Sequence, residues 1–405
     1  MAPPRTPYDT VLHAARDVTR LDNALDAEML GAALLGSVYA IAESDRNTAV
    51  REFVTGFLAA TARRRTAAAT TIRAVFAALV PDAEGAERVR PGSQAPAWSG
   101  QLGRVHLTGT WAYGDVYGDQ TSYLATFAYD DTAGGQEHAL VALVDHNIGI
   151  TKDIYVGGPA DRILEQVRQM CAADELTWFR EEDPARMRDE VIRHLAITDD
   201  LVELPSAGAL ATDRALAGAR LAMLPIAPAP GRWAPEPLSA IDRADLLRRF
   251  LASPEATRAG LDTIDGPELA SLHFCLGLLL DHAASFPDAD PLRWSPAVAG
   301  LFLLDWVHRR AVLDMDDAAM LPRVLRAWAA YAARQRDLPA LAATQTDEAI
   351  EEMVPEFARL YSTGERRSPA TAAVAELMAD GVDPDDPVAL NAWIEANRHR
   401  LIEPD

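Results

Sequence analysis

The sequence predicts a mostly helical protein with a small α+β module: a helical N-terminal region, a short antiparallel sheet in the middle and a helical C-terminal domain. Three observations lead there. Apolar residues recur at helical spacing through residues 8–80 and again from 239 onward. Between about 105 and 156 that period gives way to alternation, rich in aromatic and β-branched residues. No regular strand–helix–strand alternation is present, which disfavours a doubly wound sheet. The 405 residues, 49% apolar and 24% charged, have globular composition and room for two or three domains.

In the first eighty residues, Val11, Leu12, Ala15 and Val18 form one helical stripe, and Leu30, Ala33, Leu34, Val38 and Ile41 a second. A third follows the cap Ser44-Asp45 with Val50, Phe53, Val54, Phe57 and Leu58. It is expected to run on through Arg63-Arg64-Arg65 and Ile72 to Leu79, where Pro81 stops it. Residues 81–100 read as a loop or linker, with Pro81, Gly85, Pro91-Gly92-Ser93 and Pro96.

The module at 100–204 opens with alternating Val105–Trp111, then turn chemistry at Tyr113–Asp119, then Ser122–Tyr129. Glu137–His146 is nearly continuous in apolar residues, as a strand buried on both faces is. Asp153–Val156 adds another extended piece, giving three or four strands of meander type. The strand aromatics Trp111, Tyr113, Tyr117, Tyr123, Phe127 and Tyr129 are expected to cover the sheet's core face. Helices follow at 160–172, after Asp183-Pro184 and at about 209–223. Pro225 to Pro237 is the strongest linker candidate.

The helical C-terminal domain, 239–345, is clearly punctuated. Ser239 or Asp242, Asp265-Gly266-Pro267, Ser295-Pro296 and Asp316 or Asp317 open successive helices. Residues 346–405 read as an acidic helical tail with starts at Ser368-Pro369 and Asp386-Pro387; from 345 to 405 there are 14 acidic and 5 basic side chains.

The chain carries 38 basic and 60 acidic residues, a net charge of −22. Such a field repels phosphates and anionic lipid, so direct nucleic-acid binding and membrane association are disfavoured. The longest apolar stretches, such as Phe274–Leu280, fall short of a bilayer, and the first residues carry no apolar core of signal-peptide length. A cytoplasmic location is expected. Cys171 and Cys275 lie about a hundred residues apart, without zinc-site or disulfide-framework spacing. Of the 38 basic residues only Lys152 is a lysine, a usage typical of high-GC bacterial genomes.

That lysine belongs to the segment richest in chemical groups, Val144–Asp153. Asp145, His146, Asn147, Lys152 and Asp153 emerge where a buried strand ends. Asp145, His146 and Asp153 are candidate ligands for a divalent metal, and with Lys152 they are candidate catalytic residues for phosphoester chemistry. Leu143–Asn147 resembles, over about five residues, the Asp-His-His/Asp-His-Asn metal motif of DHH phosphoesterases and family-II inorganic pyrophosphatases. Those families also need an N-terminal His-x-Asn-Pro-Asp motif, whereas the first eighty residues here read as helical and contain only His13, so no role is carried over. The plainer reading, which is preferred, is a β-turn held by Asp145 or Asn147 with a surface Lys152–Asp153 pair.

A second constellation places Asp281-His282 at the end of one helix and Asp305 and His308 at i, i+3 on another. Convergence of the four would make a bundle metal site; a capping aspartate and a helix-terminal histidine are the simpler account. Glu190 and His194, at i, i+4, read as a surface pair. Walker, dinucleotide-binding, nucleophile-elbow and zincin motifs are missing.

Two functions stay open. The preferred one is a non-enzymatic interaction or regulatory protein that presents acidic helical surfaces to a protein partner. The alternative is a metal-dependent hydrolase acting through Asp145–Asp153, and only that reading implies a cofactor, a divalent metal. The first requires an exposed apolar patch among acidic residues, the second a pocket where the four side chains converge.

Overall fold

The computed structural model describes residues 6–205, 209–227, 238–286, 289–382 and 386–402, with side chains to Asn397. Pro228 to Pro237, most of the expected linker, and residues 1–5 lie outside the described residues. The fold class is the expected one, mostly helical with one antiparallel sheet in the middle and helices at both ends, but the sheet has five strands where three or four were expected, the fifth being a short edge strand after the first following helix. The chain divides into two compact units. One comprises residues 1–115 and 120–233; the other comprises 234–405 together with the turn Val116–Asp119.

The first unit begins with α1 (Pro7–Ala14), α2 (Ala24–Ile41), α3 (Arg46–Thr61) and α4 (Ala67–Leu79), capped by Thr6, Asn23, Asp45 and Thr66. Arg63-Arg64-Arg65 sits in the break between α3 and α4, because Thr66 starts a new helix where a single long one was expected. The expected linker at 81–100 is part of the fold. It contains two 3-10 turns, and Trp98 is buried with its indole Nε1 donating to Leu21 O at 2.7 Å.

The sheet is ordered β4-β3-β2-β1-β5, from β1 (Val105–Asp115), β2 (Gln120–Tyr129), β3 (His138–Asp145), β4 (Ile150–Gly157) and β5 (Thr177–Glu181). Alternation sorts its side chains. Tyr123, Ala125, Phe127, Leu140 and Ala142 face the large core shared with α2–α4, α6 (Pro184–Asp199) and α7 (Ala209–Leu221). Leu124, Ala139, Trp111 and Tyr113 pack on the opposite face against α5 (Ala160–Ala173). The N-terminal helices and the sheet thus share one core.

α2 crosses α7 closely. A Cβ at Gly36 would stand 2.5 Å from Ala211 O, so only glycine allows that approach. α2 is also long and apolar enough, by length and composition, to cross a membrane, contrary to the sequence expectation. Its glycines and alanines lengthen a stretch that large apolar residues alone do not reveal. Half of it is buried inside the first unit, where Glu28, fully buried, accepts from Gly103 N (2.7 Å) and Tyr129 Oη (2.7 Å) and pairs with Arg220 of α7. Arg220 Nε donates in turn to His138 Nε2 at 2.8 Å.

The second unit is helical throughout the described residues: α8 (Ala240–Leu251), α9 (Pro254–Arg258), α10 (Gly266–Ala283), α11 (Pro296–Leu301), α12 (Val307–Arg310), α13 (Met315–Gln335), α14 (Ala340–Thr363), α15 (Pro369–Ala379) and α16 (Pro387–Ile402). Ser239, Ser295 and Ser368 cap as their sequence contexts suggest. Before α13 the cap is Asp314, with Asp317 answering from the third position as a capping box. The boundary drawn at 345/346 falls inside α14, so the acidic tail begins within a continuous helix. Between α11 and α12 lies a π-turn, Phe302–Trp306. The core gathers Phe250, Leu272, Cys275, Trp294, Phe302 and Trp328.

Candidate functional site

The segment Asp145–Asp153 forms the β3–β4 turn. Asp145 ends β3 opposite Ile150, Gly149 takes a left-handed φ of 74°, and its N–H donates to Asp145 O at 2.9 Å. The Asp145 carboxylate is buried and already engaged: Asn147 N donates to Oδ1 (3.1 Å), Gln120 Nε2 donates to Oδ2 (2.9 Å), and Lys152 Nζ lies 3.5 Å from Oδ2. The register passes from Val144↔Thr151 to Leu143↔Asp153, which makes Lys152 the extra residue of a β-bulge. Asp153 Oδ1 accepts from Ile154 N at 2.9 Å.

His146 turns the other way, its Nε2 3.0 Å from Thr121 Oγ1 and its ring edge-on to His194, with centroids 5.7 Å apart. Sequence reasoning placed Glu190 and His194 on the surface. Both are buried, because they flank Met187, Val191 and Leu195 on the core-facing arc of α6. His194 Nδ1 bonds Glu190 O at 2.8 Å, and burial lowers its pKa. The structure therefore joins Asp145 with Lys152, and His146 with His194. Among the described residues no three His, Cys, Asp or Glu side chains are grouped so as to hold a metal ion, Asp145, His146 and Asp153 included. These bonds give Asp145 a role in shaping the turn. Asp145→Ala is expected to destabilise the first unit by about 1–3 kcal/mol by stranding its donors. A urea titration checks this, and an unchanged midpoint would remove the anchoring role.

The second constellation does not converge. Asp281 accepts from Arg243 (2.7 Å), and Asp305 pairs with Arg309 (2.9 Å) and Arg366 (3.5 Å). His308 is buried beside Phe357 at 5.4 Å. The π-turn inserts a wide turn just before His308, so Asp305 faces solvent while His308 faces the core. His282 is enclosed by Phe286, Trp294, Phe302 and Trp306, with ring centroids 4.9–5.8 Å away. Burial, helped by the Arg293 charge, pushes its pKa down from 6.5 to about 4.

A histidine kept neutral in the fold but free to protonate when unfolded stabilises fully above its unfolded pKa. That stability is lost as pH falls from 6.5 toward 4. Going from pH 7 to 4.5 is expected to cost the second unit about 2–3 kcal/mol through this group alone. Denaturant titrations at the two pH values read the loss, and His282→Phe should flatten it; an equal loss in the variant would assign the effect elsewhere.

A different surface of the second unit combines exposure with apolar chemistry. Phe274 and Leu278, one turn apart on α10, face Ala370, Val374 and Met378, which repeat every four residues along α15. They line a cleft of about 730 Å³, with Arg309, Arg310 and Val312 at one edge. Phe274 is 40% exposed, Val374 40% and Met378 47%. α15 also carries exposed Glu376, with exposed Asp380 just past its end, and α14 exposes Glu348, Glu351, Glu352 and Glu356. Sequence reading recognised the acidic helices but not this cleft; the signal was the period-four run Ala370, Val374, Met378 on a helix of weak amphipathicity. No family model, curated protein or solved structure matches the chain.

Proposed function

We propose that the protein is a non-enzymatic interaction or regulatory protein whose second unit receives a protein partner in the α10–α15 cleft. The observation that carries this reading is the convergence of Phe274, Val374 and Met378, three large apolar side chains each at least 40% exposed, in one groove. Contiguous exposed apolar surface of this kind marks interaction sites on soluble proteins. Exposed Glu376 on α15 and Asp380 just past its end, within a chain of net charge −22, favour a partner segment with an apolar face and a basic flank on the α15 side, the opposite edge being set by Arg309 and Arg310; an amphipathic helix is the natural form.

The test is site-specific photocrosslinking in the native host, with benzoylphenylalanine replacing Met378 and, as a control, exposed Met170 on α5. A discrete adduct with a protein bearing such a basic segment is expected from position 378 and not from 170. It should disappear when Val374→Asp is added. No adduct at 378, or the same adducts at both positions, would overturn the proposal.

A further inference from the structure

The first unit contains a second recess, and it has different chemistry. It lies between α2, α3, α6 and α7, with Val80–Asp82 at one end, and has a volume of about 670 Å³. Protein interiors are packed as densely as organic crystals, so a recess of this size needs a structural cause. Here the cause is α7, which turns Ala211, Ala215, Gly218 and Ala219 toward it, with Ala222 just past its end. The opposing walls are Leu35, Val50, Leu79 and Leu195. At the mouth stand Ile192 and Met223, 39% and 46% exposed.

One wall is polar and built. Asp199, buried, accepts from Tyr39 Oη (2.5 Å), Asn47 Nδ2 (2.6 Å), and Arg214 through Nε (3.1 Å) and Nη2 (2.6 Å). Burial, reinforced by the Asp199 charge, raises the Tyr39 pKa well above the usual phenol range, so its hydroxyl stays protonated and donating. The remaining charges lining the recess are matched as well: Arg51 lies 3.6 Å from Asp82, and Arg220 pairs with Glu28.

Among the described lining residues the buried charges are all paired, so a charged ligand entering the apolar body of the recess would find no unmatched counter-ion there and would incur a large desolvation cost. A volume within the ~300–1,000 Å³ range of small-molecule sites, apolar walls and a few fixed polar groups are the marks of a ligand pocket. We infer that this recess binds an uncharged, largely apolar small molecule carrying one hydrogen-bonding group, with the apolar body along α7 and the polar group toward Asn47 and Arg51 at the rim.

The test uses the full chain and N-phenyl-1-naphthylamine, an uncharged fluorophore with a single N–H. Saturable, blue-shifted emission with one site per chain is expected. Ala215→Trp, which fills the recess, should weaken binding by about tenfold or more. Met223→Asp, at an exposed position that leaves the core intact, should weaken it as well and keeps the test valid if the tryptophan variant does not fold. Dodecanol should displace the fluorophore, and dodecanoate and dodecyltrimethylammonium should not at equal concentration. No saturable binding, or binding that both folded variants leave unchanged, would overturn the site. Displacement by either ion but not by the alcohol would overturn the ligand class.

Discussion

Arg220→Met is expected to destabilise the first unit by about 3–5 kcal/mol, the cost of leaving a buried carboxylate without its cation. Glu28 has no solvent exposure, and the residue removed is, among the described residues, the only cation paired with it. The remaining donors, Gly103 N and Tyr129 Oη, are neutral and cannot replace a guanidinium. His138 would lose the Nε donor that fixes its tautomer, Nε2 accepting and Nδ1 facing Gln136 O at 3.4 Å. Its neutral state is already favoured, since burial and then the Arg220 charge push its pKa down to about 3. The variant removes one of those causes. The double variant Glu28→Leu/Arg220→Met removes both charges and should recover at least half of the loss, because an apolar pair avoids the uncompensated charge. Guanidinium titrations of the three proteins test this. A single variant within 1 kcal/mol of the wild type would show that water reaches Glu28.

Trp328→Ala should cost the second unit about 3–5 kcal/mol, as large aromatic truncations in closed cores do. The indole of Trp328 is fully buried, packs on Phe250 at 4.9 Å and Tyr331 at 5.8 Å, and donates from Nε1 to Pro291 O at 3.0 Å. Its loss opens a cavity in a core to which α8, α10 and α13 all contribute, and also leaves a carbonyl with one donor fewer, Trp294 Nε1 remaining at 3.0 Å. Trp328→Phe keeps most of the volume and should cost markedly less. Equal losses in the two variants would assign the effect to the hydrogen bond rather than to packing.

Local signals in the sequence carried far. Asp265, Ser295 and Ser368 announced helix starts because a capping residue type and a following proline act within one turn, Ser239 did so by its cap alone, and three or four strands followed from alternation and one continuous apolar run. Non-local features stayed hidden. β5 is a five-residue edge strand between two helices, too short to establish a period, and it pairs with β1 more than sixty residues earlier. The π-turn at 302–306 has no composition of its own, so the i, i+3 relation of Asp305 and His308 was read on the wrong helical geometry. At the β3–β4 turn the polar cluster was legible, as was the turn itself, but the partners of Asp145 and His146 come from Gln120, Thr121 and His194 on other elements. The α10–α15 cleft and the α7 recess required knowing which helices become neighbours.

The distance along the chain between Glu28 and Arg220 has a consequence for biosynthesis. At roughly 5–20 residues per second, α2 leaves the ribosome some tens of seconds before α7 can exist. During that interval an apolar helix of membrane-spanning length has neither its principal packing partner nor the cation that neutralises its one buried acid. The nascent chain is thus most exposed to mistargeting and aggregation until α7 emerges, just past its midpoint, and a chain interrupted ahead of α7 is expected to be a substrate for chaperones and proteases rather than a stable fragment.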